Sequence, residues 1–325
     1  MSIDPTSIES WVFVTGMIRS GTTFLASVLS HPVSVDYIHE PFNGGYTIPE
    51  GIALKARYVD KNDHSHAARR YRDHVRHIFT YDIGMSSAKY DDDPLARKVA
   101  KRLFGSRGPF YLRLAKANWF RRHALIKDPM AGLTTDFLYR EFGVKPVVIV
   151  RHPVSLAASL KRLSWFPEVY DFALQPDVIA NHLEDDLHLL HTNWEDRLLE
   201  SMAHWRMLYR VLLDQAEKHG DWIVVTHEEL SSHPVRVFRR IYRECGLPWS
   251  DGVHKKILSL TTNNGKAYAS DGRVQDFKRD SASIFEMRRD SVPLNTRRDI
   301  FEITSEIALR IYDRESFKLG DLTPS

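Results

Sequence analysis

One cysteine, Cys245, stands among 325 residues. A single thiol excludes an intrachain disulfide framework and any cysteine-based zinc cluster. No apolar run reaches the length of about eighteen residues that a membrane-spanning helix needs. The first residues, MSIDPTSIESWVFVTG, carry acids where an export signal has a basic flank and an apolar core. The expected compartment is therefore the cytoplasm. Internal repeats, low-complexity tracts and clear linkers are also lacking. What is present, 43% hydrophobic and 27% charged residues, is the composition of a globular chain, not of a disordered or fibrous one. The length fits one large domain or two ordinary ones.

The net charge of +3 conceals an asymmetry. Between Lys55 and Arg122 stand 17 Lys and Arg against 7 Asp, a local +10 that leaves −7 for the remainder. A basic block in an otherwise acidic chain points to an anionic partner, and its simpler reading is a solvated helical surface.

Short apolar runs alternate with helical patterns, which favours an α/β fold on a parallel sheet. The strand candidates are Trp11–Thr15, Val35–His39, Ala124–Lys127, Pro146–Val150 and Trp222–Thr226. The first, fourth and fifth are β-branched without alternation, as in strands buried on both faces. Helices are expected over Thr22–Leu29, Leu133–Phe142, Pro153–Leu163, Asn193–His219, Pro234–Cys245 and Arg297–Tyr312. The second and third strands are about eighty residues apart, room for a helical cap.

The segment Thr15-Gly16-Met17-Ile18-Arg19-Ser20-Gly21-Thr22-Thr23-Phe24-Leu25 follows a strand and opens a helix. Gly16 and Gly21 permit tight turns and close approach to a ligand. Free N–H groups and the dipole at the helix start favour an anion. The Gly-x4-Gly spacing matches a Walker A loop, but Thr22 stands where that loop needs Lys. The basic residue lies earlier, at Arg19. An ordinary strand–turn–helix with glycines for packing is the simpler alternative.

With Arg19-Ser20-Gly21-Thr22-Thr23-Phe24-Leu25 after an apolar strand, the chain resembles sulfotransferases that use 3′-phosphoadenylyl sulfate (PAPS), whose 5′-phosphosulfate loop reads this way. Arg19 makes it more similar to the carbohydrate and tyrosylprotein members than to the cytosolic ones, which carry Lys there. The family also has a strand ending in Arg, then Pro, then a Ser eight residues after the Arg, which binds the 3′-phosphate. Arg151-His152-Pro153 with Ser159 supplies it. An Arg at a strand's C-terminal end faces the ligand crevice of a parallel sheet and can grip phosphate bidentately. Thr226-His227-Glu228-Glu229-Leu230 resembles a further family segment, with His227 in place of the usual Tyr. Lys278-Arg279-Asp280-Ser281 resembles the basic segment that closes over the nucleotide.

The resemblance implies one P-loop NTPase-like α/β domain over residues 1–325, its central parallel sheet of about five strands flanked by helices. Residues 41–122 are expected as a helical acceptor-binding insertion. It further implies transfer of a sulfuryl group from PAPS to a hydroxyl, giving a sulfate ester and 3′-phosphoadenosine 5′-phosphate (PAP). Arg19, Ser20, Gly21, Thr22, Thr23, Phe24, Arg151, Ser159 and Arg279 are the expected nucleotide ligands. The acceptor proton needs a base. Glu40, ending the second strand in Tyr37-Ile38-His39-Glu40-Pro41, is the first candidate, His39 the second and Asp128 the third. Arg19 is expected to stabilise the leaving group.

A sulfuryl group carries less charge than a phosphoryl group, so no metal is expected. His64, His66, His74 and His77 read as scattered surface histidines. The acceptor is expected to be a hydroxyl-bearing glycan, lipid or small molecule. An anionic glycan or lipid is favoured if the basic block touches it. Nucleic acid is not an expected partner, and peripheral membrane contact is open. Two other readings stand beside this one: a kinase-like phosphotransferase with a degenerate Walker A loop, and a non-catalytic anion-binding protein.

Overall fold

A computed structural model describes residues 3–43, 57–85, 106–261 and 291–320. Five strands form one sheet: β1 (Ser10–Thr15), β2 (Val35–His39), β3 (His123–Lys127), β4 (Lys145–Val150) and β5 (Ile223–Thr226), in the order β2-β3-β1-β4-β5. The central pairings are parallel, with Val12 opposite Leu125, Val14 opposite Val147 and Ile38 opposite Ile126. Val12, Phe13 and Val14 are fully buried, as the unalternating sequence of that strand requires. The expected α/β sheet flanked by helices is the observed one.

The chain forms two compact units, each discontinuous in sequence. The first comprises Met1–Ile18, Thr22–Val148 and Arg240–Val253. It holds β1 to β3, α1 (Thr22–Leu29), α2 (His66–Phe79), α3 (Arg107–Ala117) and α4 (Thr135–Phe142). Its core is aromatic: Trp11 packs on Phe79 with ring centroids 4.6 Å apart, and Phe79 stacks on Phe142 at 4.3 Å. Ser65 caps α2 by accepting the Ala68 N–H at 3.0 Å. Cys245 is buried here too, and burial pushes its thiol up to about 12.

The second unit comprises Arg19–Gly21, Ile149–Arg239 and His254–Ser325. It holds α5 (Pro153–Leu163), α6 (Arg197–His219), β5, α7 (His227–Ser232) and α10 (Leu294–Ala308); α8 (Pro234–Glu244) and α9 (Asp251–Thr261) bridge the sequence around it. The long helix α6 carries the supports of the β4 end. Trp205 Nε1 donates to the Arg151 carbonyl at 3.1 Å, and Tyr209 donates to the Ile149 carbonyl at 2.8 Å. On its other side Arg206 and Arg210 share the buried Asp186 carboxylate. That satisfies a charge which alone would cost several kcal/mol to bury.

Three expected helices shift. The long one starts at Arg197, not Asn193, because Asp196 caps it by accepting the Leu198 N–H at 2.7 Å. The third-strand helix starts at Thr135, after a kinked 3-10 stretch from Pro129 to Thr134. The last runs Leu294–Ala308, entered from Pro293. Of the expected insertion, α2 and α3 are described, whereas 44–56 and 86–105 lie outside the described residues. Among the described residues no helix is long and apolar enough to cross a membrane.

Candidate active site

The described site residues lie at or beyond the C-terminal ends of β1, β2 and β4, and each unit is taken by itself.

In the second unit, the loop Arg19–Gly21 meets the end of β4. Arg19 has φ 69° and Gly21 φ 111°, both left-handed. Arg19 has a side chain and still adopts this conformation, a cost of about 1 kcal/mol or more that its surroundings must offset. They do so from both sides: the Arg19 carbonyl accepts from Arg151 NH1 at 2.9 Å, and Arg19 Nε donates to Ser159 Oγ at 3.4 Å. The Arg19 guanidinium lies 5.9 Å from the Trp165 ring centroid. Gly21 is required by contact as well as by φ. A Cβ there would meet His227 Cδ2 at 2.9 Å and Ile149 Cδ1 at 3.1 Å.

Arg151 is 4% exposed. Burial pulls its guanidinium down from its ordinary value, and the Glu228 carboxylate opposes that. Burial raises Glu228, with Arg151 and a 2.9 Å hydrogen bond from the Tyr312 hydroxyl working the other way. Among the described residues, three buried polar atoms here have no hydrogen-bond partner: Ser20 Oγ, Arg151 Nε and Ser155 Oγ. Buried donors left unmade cost about 1–3 kcal/mol each. Three around one strand–loop junction fit an anion with several acceptor oxygens. Ser155 was not among the expected ligands. It lies four residues after Arg151, in the first turn of α5, and that spacing was the signal available in the sequence.

In the first unit, Thr22 begins α1 and is buried, with Thr23 and Phe24 half-buried behind it. The second cluster of this unit lies at the ends of β2 and β3. The register sets His39 opposite Lys127, and Glu40 N–H donates to the Lys127 carbonyl at 2.8 Å. Glu40 then turns left-handed, φ 51°. Lys127 Nζ donates to Glu40 Oε1, and Asn43 Nδ2 donates to Glu40 Oε2 at 2.9 Å. Burial alone would raise the Glu40 carboxyl, but the Lys127 ammonium holds it below the usual range.

His39 is buried, and burial together with Lys127 lowers it to about 3, so the ring is neutral at physiological pH. Its Nδ1 lies 2.7 Å from the Tyr37 hydroxyl and its Nε2 3.7 Å from Glu40 Oε1. The carboxylate favours the tautomer with the proton on Nε2. Asp128 accepts the N–H groups of Phe42 at 2.8 Å and Met130 at 2.9 Å. Burial, then Glu40, raises it to about 7. Its side chain is thus committed to the backbone.

Arg279 and its neighbours lie outside the described residues. His74 and His77 come within 6.2 Å of one another, and among the described residues no group of three or more His, Cys, Asp or Glu is placed to hold a metal ion. Much of the described basic block is ion-paired: Arg57 with Asp63, Arg72 with Glu141, Arg121 with Asp36 and Arg122 with Glu9.

A model described as the sulfotransferase family matches residues 11–251, and the chain belongs to that family. No curated protein matches the sequence. Similar solved structures include the sulfotransferase domain of the olefin synthase from Synechococcus PCC 7002, 16% identical with a TM-score of 0.49 over 94% of this chain and 96% of that one. The sulfotransferase STF9 from Mycobacterium avium is 14% identical, TM-score 0.46, over 94% of this chain and 77% of that one. Mouse sulfotransferase SULT7A1 complexed with PAP is 13% identical, TM-score 0.45, over 96% and 88%.

Proposed function

We propose that this sulfotransferase takes its sulfuryl group from PAPS and delivers it to a hydroxyl, releasing PAP. The observation that carries the reading is the trio of unpartnered buried atoms, Ser20 Oγ, Arg151 Nε and Ser155 Oγ, set within the two family motifs. Arg151, Ser155 and Ser159 would hold the 3′-phosphate. The loop Ser20–Gly21 and the first turn of α1, Thr22 to Phe24, would hold the 5′-phosphosulfate, and Arg279 would belong to the basic segment that closes over the nucleotide. Arg19 would meet the charge that grows on the leaving phosphate oxygen.

Glu40 is the proposed base. Lys127 keeps it ionised, and His39, neutral and tied to Tyr37, fixes its orientation from the side. Arg19, and the absence of a histidine at Asp128, favour the carbohydrate and tyrosylprotein type of site over the cytosolic type. No metal is needed in this scheme, and a cytoplasmic setting for one domain spanning 1–325 remains part of the proposal. The acceptor is a hydroxyl on a glycan, lipid or small molecule.

Titration calorimetry with PAP tests the donor assignment, and transfer of labelled sulfate from PAPS to a panel of alcohols tests the reaction. Saturable PAP binding that Arg151→Ala weakens is the expected result. A wild-type chain that binds neither PAP nor PAPS, or that prefers magnesium-ATP, overturns it.

A further inference from the structure

We propose that α3 and the turn after it form a docking surface for an anionic lipid bilayer. The segment from Ser106 to Arg122, SRGPFYLRLAKANWFRR, contains five cations and no acid. Gly108, Pro109, Leu112 and Ala115 are buried. Phe110, Arg113, Leu114 and Ala117, at i, i+3, i+4 and i+7, form the opposite face, and all four are exposed. Phe110 is 37% exposed and Leu114 52%; beyond the helix Trp119 is 93% and Phe120 73% exposed.

These two aromatics are held out, not left loose. Asn118 Oδ1 accepts the Phe120 N–H at 2.9 Å, while Asn118 Nδ2 donates to the Val33 carbonyl at 2.9 Å and to Asp36 Oδ1 at 2.7 Å. Arg121 Nε donates to Asp36 Oδ2 at 3.0 Å, and Arg121 NH2 donates to the Ala115 carbonyl at 2.7 Å. The turn is thus locked onto a buried aspartate, and Trp119 and Phe120 are displayed with little ordering left to lose on binding.

Charge decides the occupant. Asp36 neutralises Arg121 and Glu9 neutralises Arg122, so Arg113 and Lys116 set the sign of the surface. Exposed Phe110 and Leu114 on the helix face, with Trp119 and Phe120 in the turn after it and cations among them, suit the headgroup layer of an anionic membrane, where aromatic rings settle and cations meet lipid phosphates and carboxylates. A second copy of the chain would bring the same positive sign to the contact. Tyr111, on the same helix, packs on Tyr37 at 4.6 Å and on His39 at 6.2 Å. A membrane-borne hydroxyl would then suit the base cluster. That corollary rests on the proposed activity, whereas the docking does not.

The test is flotation of the full chain with vesicles of phosphatidylcholine alone and with about one-third phosphatidylserine. Binding is expected only to the anionic vesicles, released by salt and weakened about tenfold or more by Trp119→Ala with Phe120→Ala, and likewise by Arg113→Ala with Lys116→Ala. Trp119, Phe120 and Arg113 are exposed and Lys116 is half-buried, so melting temperature and PAP affinity should be unchanged, which separates this test from that of the donor site. Equal binding to both vesicle types, no binding to either, or undiminished binding by the aromatic pair overturns the proposal. So does self-association of the wild type that the aromatic pair abolishes.

Discussion

Among the described residues, the Ser155 hydroxyl, turned to the interior, finds no partner, and neither does Nε of the buried arginine four residues before it. If both atoms bind phosphate, truncating them separates charge from hydrogen bonding. Arg151→Ala removes charge-assisted bonds and should weaken PAP binding by roughly 100-fold, with some loss of stability because Glu228 stays buried. Ser155→Ala leaves no charge unpaired and should weaken it by about tenfold or less, without lowering the melting temperature. Calorimetry on both variants checks the pair, and unchanged affinity in both would move the 3′-phosphate elsewhere. Lys127 acts on the other cluster. Because its ammonium holds Glu40 below the usual carboxylate range, Lys127→Met should move the acid limb of the kcat/KM profile toward higher pH.

Among elements, the paired ends of β2 and β3 carry two protonation effects of opposite sign. His39 is lowered to about 3, so between there and its unfolded value near 6.5 only the unfolded chain holds that proton, and stability falls as pH falls. Asp128 is raised to about 7, so between its unfolded value near 3.9 and 7 only the folded chain holds that proton, and stability falls as pH rises. From about pH 4 to 6.5 the two slopes, each at most about 1.4 kcal/mol per pH unit, oppose one another. Asp128→Asn should leave stability rising with pH across that window, and His39→Gln should leave it falling. Chemical denaturation at several pH values reads both slopes.

The loop before α1 is the other sensitive element. Gly21→Ala places a methyl group 2.9 Å from His227 at φ 111°. It should cost about 1–3 kcal/mol of stability and most of the PAP affinity. His227→Ala alone would not rescue it, because the φ remains.

At the scale of the whole chain, PAP at a hundredfold excess over its Kd should stabilise by about 2.7 kcal/mol, visible as a rise of several degrees in melting temperature. Magnesium-ATP should give less. The same scale shows what the sequence could and could not reveal. Strand ends, loop glycines and the Arg151–Ser159 spacing were legible because each is local: a β-branched run, a turn that needs glycine, a strand end followed at once by a helix. Lys127 opposite His39 was not, because that contact depends on the register of strands separated by more than eighty residues. The hydrogen bonds of Trp205 and Tyr209 to carbonyls at the end of β4 were hidden as well, because they depend on how a helix packs on residues 54 and 60 positions earlier. The ion pairs within the basic block were hidden too, since their acids are scattered between Glu9 and Glu141.

Cys245 has a use of its own. The only thiol in the chain is buried, and its raised pKa leaves almost no thiolate at neutral pH. The folded protein should therefore stay silent to thiol-directed reagents until denatured. A cysteine introduced at an exposed position such as Trp119 would then be the one handle that takes a dye or spin label, with no background to remove.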